Sequence, residues 1–101
     1  MTTLASKLRQ TADLLEERNL EHLQITWSID GPAIHAEGEL IATVLAALPE
    51  LRPDRRIAAA GSNGIYIWTG TIGGLEIKVL GTGYTDDELA ARGLIPPVDA
   101  A

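Results

Sequence analysis

Between Leu23 and Ile29 apolar and polar residues alternate without a break, with Leu23, Ile25, Trp27 and Ile29 against Gln24, Thr26 and Ser28. A period of two belongs to an extended strand with one face in a core and the other in water; a helix would scatter the same residues around its whole surface. The pattern returns in the second half. There Ile65–Ile72 and Leu75–Leu80 flank Gly73-Gly74, and such a pair supplies the positive φ values of a tight hairpin. Ile72 then opposes Leu75, Gly70 opposes Ile77 and Trp68 opposes Val79, so Tyr66, Trp68 and Ile72 share the core face with Leu75, Ile77 and Val79. A chain with such strands must assemble a sheet and cover one of its faces.

Asp30-Gly31 turns the first strand back, but Pro32 lacks the N–H that a two-residue turn there would use, and a four-residue loop Asp30–Ala33 is expected. Either even loop length puts Ile34 and Ala36 on the core face with Trp27 and Ile29, and His35 and Glu37 outside. Glu50–Arg56, with its proline and three arginines, is expected as a polar loop. Ile57–Ala60 should follow as a strand that leads through Ser62-Asn63-Gly64 to set Ala59 beside Trp68 and Ile57 beside Gly70.

Three helices complete the chain. Thr3–Arg18 carries a Leu4, Leu8, Ala12, Leu15 stripe widened by Ala5 and Thr11, and Asn19 is suited to end it. Glu39–Leu48 stops at Pro49, and its Leu40, Ile41, Val44, Leu45 and Leu48 face the sheet. Thr85-Asp86-Asp87-Glu88 is a capping box for a short helix running to about Arg92, with Gly93 after it and Pro96-Pro97 preventing continuation. The expectation is an α+β domain over residues 1–97 with a loose tail at 98–101. Its sheet is five-stranded and mostly antiparallel, a hairpin plus a three-strand meander. Two helices lie on one face, and a short helix ends the fold.

With 101 residues the chain is the size of one domain, and with no Cys it has no disulfide or thiolate metal site, which points to a reducing compartment. Met1–Leu8 is polar and no run of eighteen apolar residues exists, so neither a signal peptide nor a membrane span is expected and the cytoplasm is the expected location. The net charge of −6 is uneven. Residues 1–50 hold eight acids against three bases, and the remainder six acids against five. A nucleic-acid backbone is bound by exchanging counterions for Lys and Arg, which this balance opposes.

Four groups of residues invite a function. His22, His35 and Glu37 on the outer face of the first hairpin have the ligand types of a small metal-dependent hydrolase, although a solvated strand face is polar anyway. Arg52, Arg55 and Arg56 are a candidate anion or nucleic-acid contact. Ile65, Ile67 and Leu80 point outward with Ala58 and Ala60, an apolar patch that calls for a cover (Leu94-Ile95) or for a protein partner. The reverse of the second helix, Ala42, Thr43, Ala46 and Ala47, is small and uncharged enough for a second copy to approach, so a homodimer is expected through the helix or the patch. No cofactor-binding motif is present: Gly61-Ser62-Asn63-Gly64 and Gly81-Thr82-Gly83 have neither Walker nor dinucleotide spacing, and no serine sits in a nucleophile elbow.

The helix Leu4–Leu15 followed by Ile25-Thr26-Trp27-Ser28-Ile29 and a glycine-containing turn resembles short uncharacterised proteins of actinobacteria and their phages, over about the first half of the chain. That group has no assigned activity, so the resemblance implies no site residue. With it, the expected function is a non-enzymatic protein–protein interaction module, a phage or mobile-element accessory protein acting on a host protein. The acidic balance suits a basic-faced partner. The enzyme using His22, His35 and Glu37 and the nucleic-acid binder using the three arginines are the alternatives.

Overall fold

The computed structural model describes residues 4–20, 23–28, 31–57 and 64–96. In chain order these form α1 (Leu4–Glu17), β1 (Gln24–Ser28), β2 (Gly31–Glu37), α2 (Leu40–Ala47), β3 (Arg52–Ile57), β4 (Ile65–Ile72), β5 (Leu75–Thr82) and α3 (Asp86–Ala91). The strands make one five-stranded sheet in the order β1-β2-β5-β4-β3. It is a mixed sheet, antiparallel except where β2 and β5 pair in parallel, with Ile34 opposite Val79. The α+β class and the helix-covered face are as expected.

The β4–β5 hairpin has the anticipated register, with Trp68 opposite Val79, Gly70 opposite Ile77 and Ile72 opposite Leu75. Gly73 and Gly74 turn it at φ 59° and 83°. The first hairpin is tighter than expected. Trp27 pairs with Pro32 and Ser28 with Gly31, so Gly31, Pro32 and Ala33 belong to β2 and not to a loop; Ile29 and Asp30 lie outside the described residues, as do Glu21 and His22. The shift is by an even number of positions, and so Ile34 and Ala36 are buried all the same.

The segment expected as the polar loop Glu50–Arg56 is largely a strand, β3. Trp68 therefore lies opposite Pro53 rather than Ala59, and Ile57 lies opposite Ile65 rather than Gly70. Residues 58–63, on which that expectation rested, lie outside the described residues. An edge position explains the misreading. A strand with only one neighbour tolerates proline, charge and a bulge, and here the register shifts between Pro53 and Arg55.

The core lies between one sheet face and the helices. Ile34, Ala36, Trp68, Ile77 and Val79 of the sheet meet Leu14, Ile41, Val44, Leu48 and Leu89. Gly81 lets the Trp68 indole lie flat across β5, because a Cβ there would stand 2.7 Å from the ring and 2.9 Å from Ile41 Cδ1. α1 presents a different side than its leucines suggest. Leu8 is 41% exposed and Ala12 is exposed, while Thr11 is 3% exposed beside buried Leu14. Thr11 can be buried because its hydroxyl donates to Lys7 O at 2.8 Å, leaving no polar group unpaired. Asn19 at φ 59° closes the helix, and Leu20 N–H donates to Leu15 O at 2.8 Å, which carries Leu20 into the core.

α3 follows its sequence signals. Thr85 Oγ1 accepts from Glu88 N–H and Glu88 Oε1 accepts from Thr85 N–H, completing the capping box. Gly93 at φ 73° ends it, and Leu94 N–H donates to Leu89 O at 3.0 Å. Trp68 Nε1–H then donates to Leu94 O at 2.9 Å, and Ile95 is buried in the core. Leu94-Ile95 thus covers the core face, not the outer patch. No helix among the described residues is long and apolar enough to cross a membrane.

Candidate interaction surface

Small residues on α2 and a proline in β3 leave a groove where two large side chains would otherwise meet. Ala42 is half-buried and Ala46 exposed on the side of α2 away from Ile41 and Val44. Leu48 caps the helix, and Leu51 is buried as the chain turns into β3. Pro53, opposite Trp68, presents a ring with no N–H. Between them lies a groove of about 270 Å³ lined by Ala42 and Ala46 of α2, Pro53 of β3, Trp68 of β4 and Leu94. Trp68 is only 1% exposed and its one polar atom is satisfied by Leu94, so it offers the groove carbon alone.

The three arginines of β3 do not converge. Arg52 Nη1 donates to Pro49 O at 2.7 Å and Leu51 O at 3.1 Å, which holds its charge at the Pro49 end of the groove. Arg56, on the core side opposite Tyr66, lies with Nε 3.0 Å from Asp86 Oδ1 and donates from Nη2 to Tyr84 O at 3.3 Å. Arg55 is exposed on the outer side, opposite Ile67. Ordinary strand alternation thus sends Arg55 and Arg56 to opposite faces of the sheet, which a phosphate-gripping cluster would not tolerate.

On the outer face, Ile67 is 6% exposed between Arg55 and Leu80, and Ile65 and Leu80 are half-buried. The patch points outward as parity requires, yet its central residue is already removed from water, and Ala58 and Ala60 lie outside the described residues. Ile57, 46% exposed, extends it toward the β3 edge. His35 and Glu37 border a polar hollow of about 330 Å³ with Gln24 and Thr82. His35 Nε2 and Thr26 Oγ1 share a hydrogen bond of 2.6 Å, so one imidazole nitrogen is engaged. His22 lies outside the described residues, and among those described no group of three or more His, Cys, Asp or Glu could hold a metal ion.

Sequence reasoning found Ala42 and Ala46 but missed Pro53, Trp68 and Leu94 as their companions. The signal for Pro53 is its place in a charged segment, which composition alone assigns to a loop. No family model, curated protein or solved structure matches this chain.

Proposed function

We propose that the protein is a non-enzymatic protein–protein interaction module that receives a bulky apolar side chain of its partner in the groove between α2 and β3. The supporting observation is that Ala42, Ala46, Pro53 and Trp68 line one concavity, with the Arg52 guanidinium bonded to Pro49 O at its edge. Interfaces draw most of their affinity from one or two large side chains seated in such desolvated pockets. The charge beside the groove is positive, from Arg52, although the chain as a whole is negative. At contact distance the near charge dominates, since at physiological ionic strength screening acts over about 8 Å. The anchor is therefore flanked by a carboxylate, in place of the basic face that whole-chain charge suggests. The phage or mobile-element setting, with a host protein as partner, rests on the resemblance of the first half of the chain.

Selection from a random peptide library against the purified protein tests this reading. Enriched peptides should share a bulky apolar residue next to Asp or Glu, and Ala46→Glu should weaken them by about tenfold or more, equivalent to about 1.4 kcal/mol. The variant should melt like the parent, because Ala46 is exposed. An absence of enriched peptides, or equal binding to Ala46→Glu, removes the groove as the contact. The homodimer expected across Ala42, Thr43, Ala46 and Ala47 competes for the same surface, and it is the reading supported if Ala46→Glu turns a dimeric parent into a monomer with no peptide present.

A further inference from the structure

β1 is an outer strand of the sheet, paired only with β2 among the described residues. Its five residues, Gln24–Ser28, contain no charge and no proline, and they pair with β2 without a register shift. Charge, proline and a bulge, three natural means of blunting an edge, are therefore absent from these five residues.

Pro32 determines which backbone groups that edge displays. Directly opposed residues of an antiparallel pair alternate between exchanging hydrogen bonds and exchanging none. Pro32 has no N–H, so its pairing with Trp27 is of the second kind, and so is that of Ile25 with Ile34. Gln24, Thr26 and Ser28 turn their backbone groups toward β2, and Ile25 and Trp27 turn theirs outward.

We propose that two copies of this chain join through β1, antiparallel about a two-fold axis at Thr26, into one continuous sheet. That register sets Ile25 of each copy opposite Trp27 of the other, so the outward N–H and C=O groups of both find partners. It also sets Thr26 against Thr26 and Gln24 against Ser28. Ile25 meets Trp27 on the core side and Thr26 meets Thr26 outside, so the helices of both copies lie on the same side of the joined sheet. A slip of one residue would oppose Thr26 to Trp27, put the core faces on opposite sides and leave the outward groups unmatched. A second copy meets these conditions by symmetry. Each copy carries a net charge of −6, but β1 itself is uncharged, so no like charges meet across this strand. Trp27, half-buried at the edge, gains Ile25 of the second copy as a neighbour.

This contact is separate from the groove, which lies beside the opposite edge strand. Analytical ultracentrifugation from micromolar to submillimolar protein should give a mass that rises toward the dimer. Amide exchange at Ile25 and Trp27 should slow by about tenfold or more over the same range. Thr26→Lys places two ammonium groups across the axis and should return a monomer with fast exchange at both amides, while Thr26→Val should still dimerise. Ala46→Glu should leave this dimer intact. A parent that stays monomeric, exchange at Ile25 and Trp27 that does not depend on concentration, or a dimer abolished by Ala46→Glu overturns the proposal. The exchange measurement on the parent decides the matter even if Thr26→Lys does not fold.

Discussion

The two outer strands of this sheet are built on opposite plans. β3 is charged, carries Pro53 and is broken by a register shift, and almost all of it is exposed. It is held from outside its own backbone. Pro53 lies opposite Trp68, Arg56 reaches Asp86 at the start of α3 and Tyr84 just before it, and Arg18, just past α1, clasps Glu50 on the approach to the strand. β1 is short, uncharged and regular, and among the described residues it is placed by its hairpin with β2, with no ion pair from its own five side chains. A strand that repels other strands through its sequence weakens its own place in the sheet and needs tertiary tethers. A strand with good local pairing needs none and keeps its outer edge open.

Removing the tethers of β3 should separate the two. Trp68→Ala deletes the largest buried side chain and the Leu94 hydrogen bond together. Denaturant unfolding should give a loss of about 3–5 kcal/mol, a large part of a small domain's stability. Amides of β3 and α3 should lose exchange protection before those of β1 and β2. Equal loss at both edges would break the contrast drawn here.

A smaller change acts through α3 alone. Thr85→Ala removes the cap, leaves the Glu88 N–H without its side-chain acceptor, and should cost about 1 kcal/mol in thermal or chemical unfolding. Exchange should quicken around Asp86–Ala91 and at Arg56, its ion-pair neighbour, with β1 unchanged.

The smallest effect belongs to the Arg18–Glu50 pair, whose oxygens and nitrogens meet at 2.8 Å and 3.0 Å near the surface. The hydrogen bonds from Arg18 hold the Glu50 carboxyl at about 2, below its ordinary 4.5, and the same pairing raises the Arg18 guanidinium. Because the folded value is the depressed one, the stabilisation is present above pH 4.5 and disappears as the pH falls toward 2. Glu50→Gln should therefore melt slightly below the parent at neutral pH, with the gap closing through that window and shrinking in high salt. A gap that does not depend on pH would assign the effect to something other than the charge.

Where local chemistry settles the geometry, the residues were legible. Gly73-Gly74, the Thr85 capping box, and Asn19 and Gly93 at helix ends all act within a few positions of themselves. The facing of Ile34 and Ala36 survived an error in loop length because parity does not depend on it. Ala42 and Ala46 stood out by the absence of charge around them. β3 was hidden by the residues that suit an edge, and α1 by a tie. Leu8 and Thr11 both fit a helical stripe, and hydropathy favours Leu8, while core packing buried Thr11, whose hydroxyl bond within the helix permits it.

By itself, then, the sequence determined the α+β class, the facing of the strands in both hairpins and the ends of the helices, since each depends on side-chain alternation or on backbone preferences that act over one turn. Tertiary structure decided which segments became edges, that β2 and β5 run parallel, which side of α1 is buried, and that Trp68, Pro53, Ala46 and Leu94 share a groove. These are contacts between residues far apart in the chain. Their partners are selected by the packing of the whole core, and no local window of sequence contains that information.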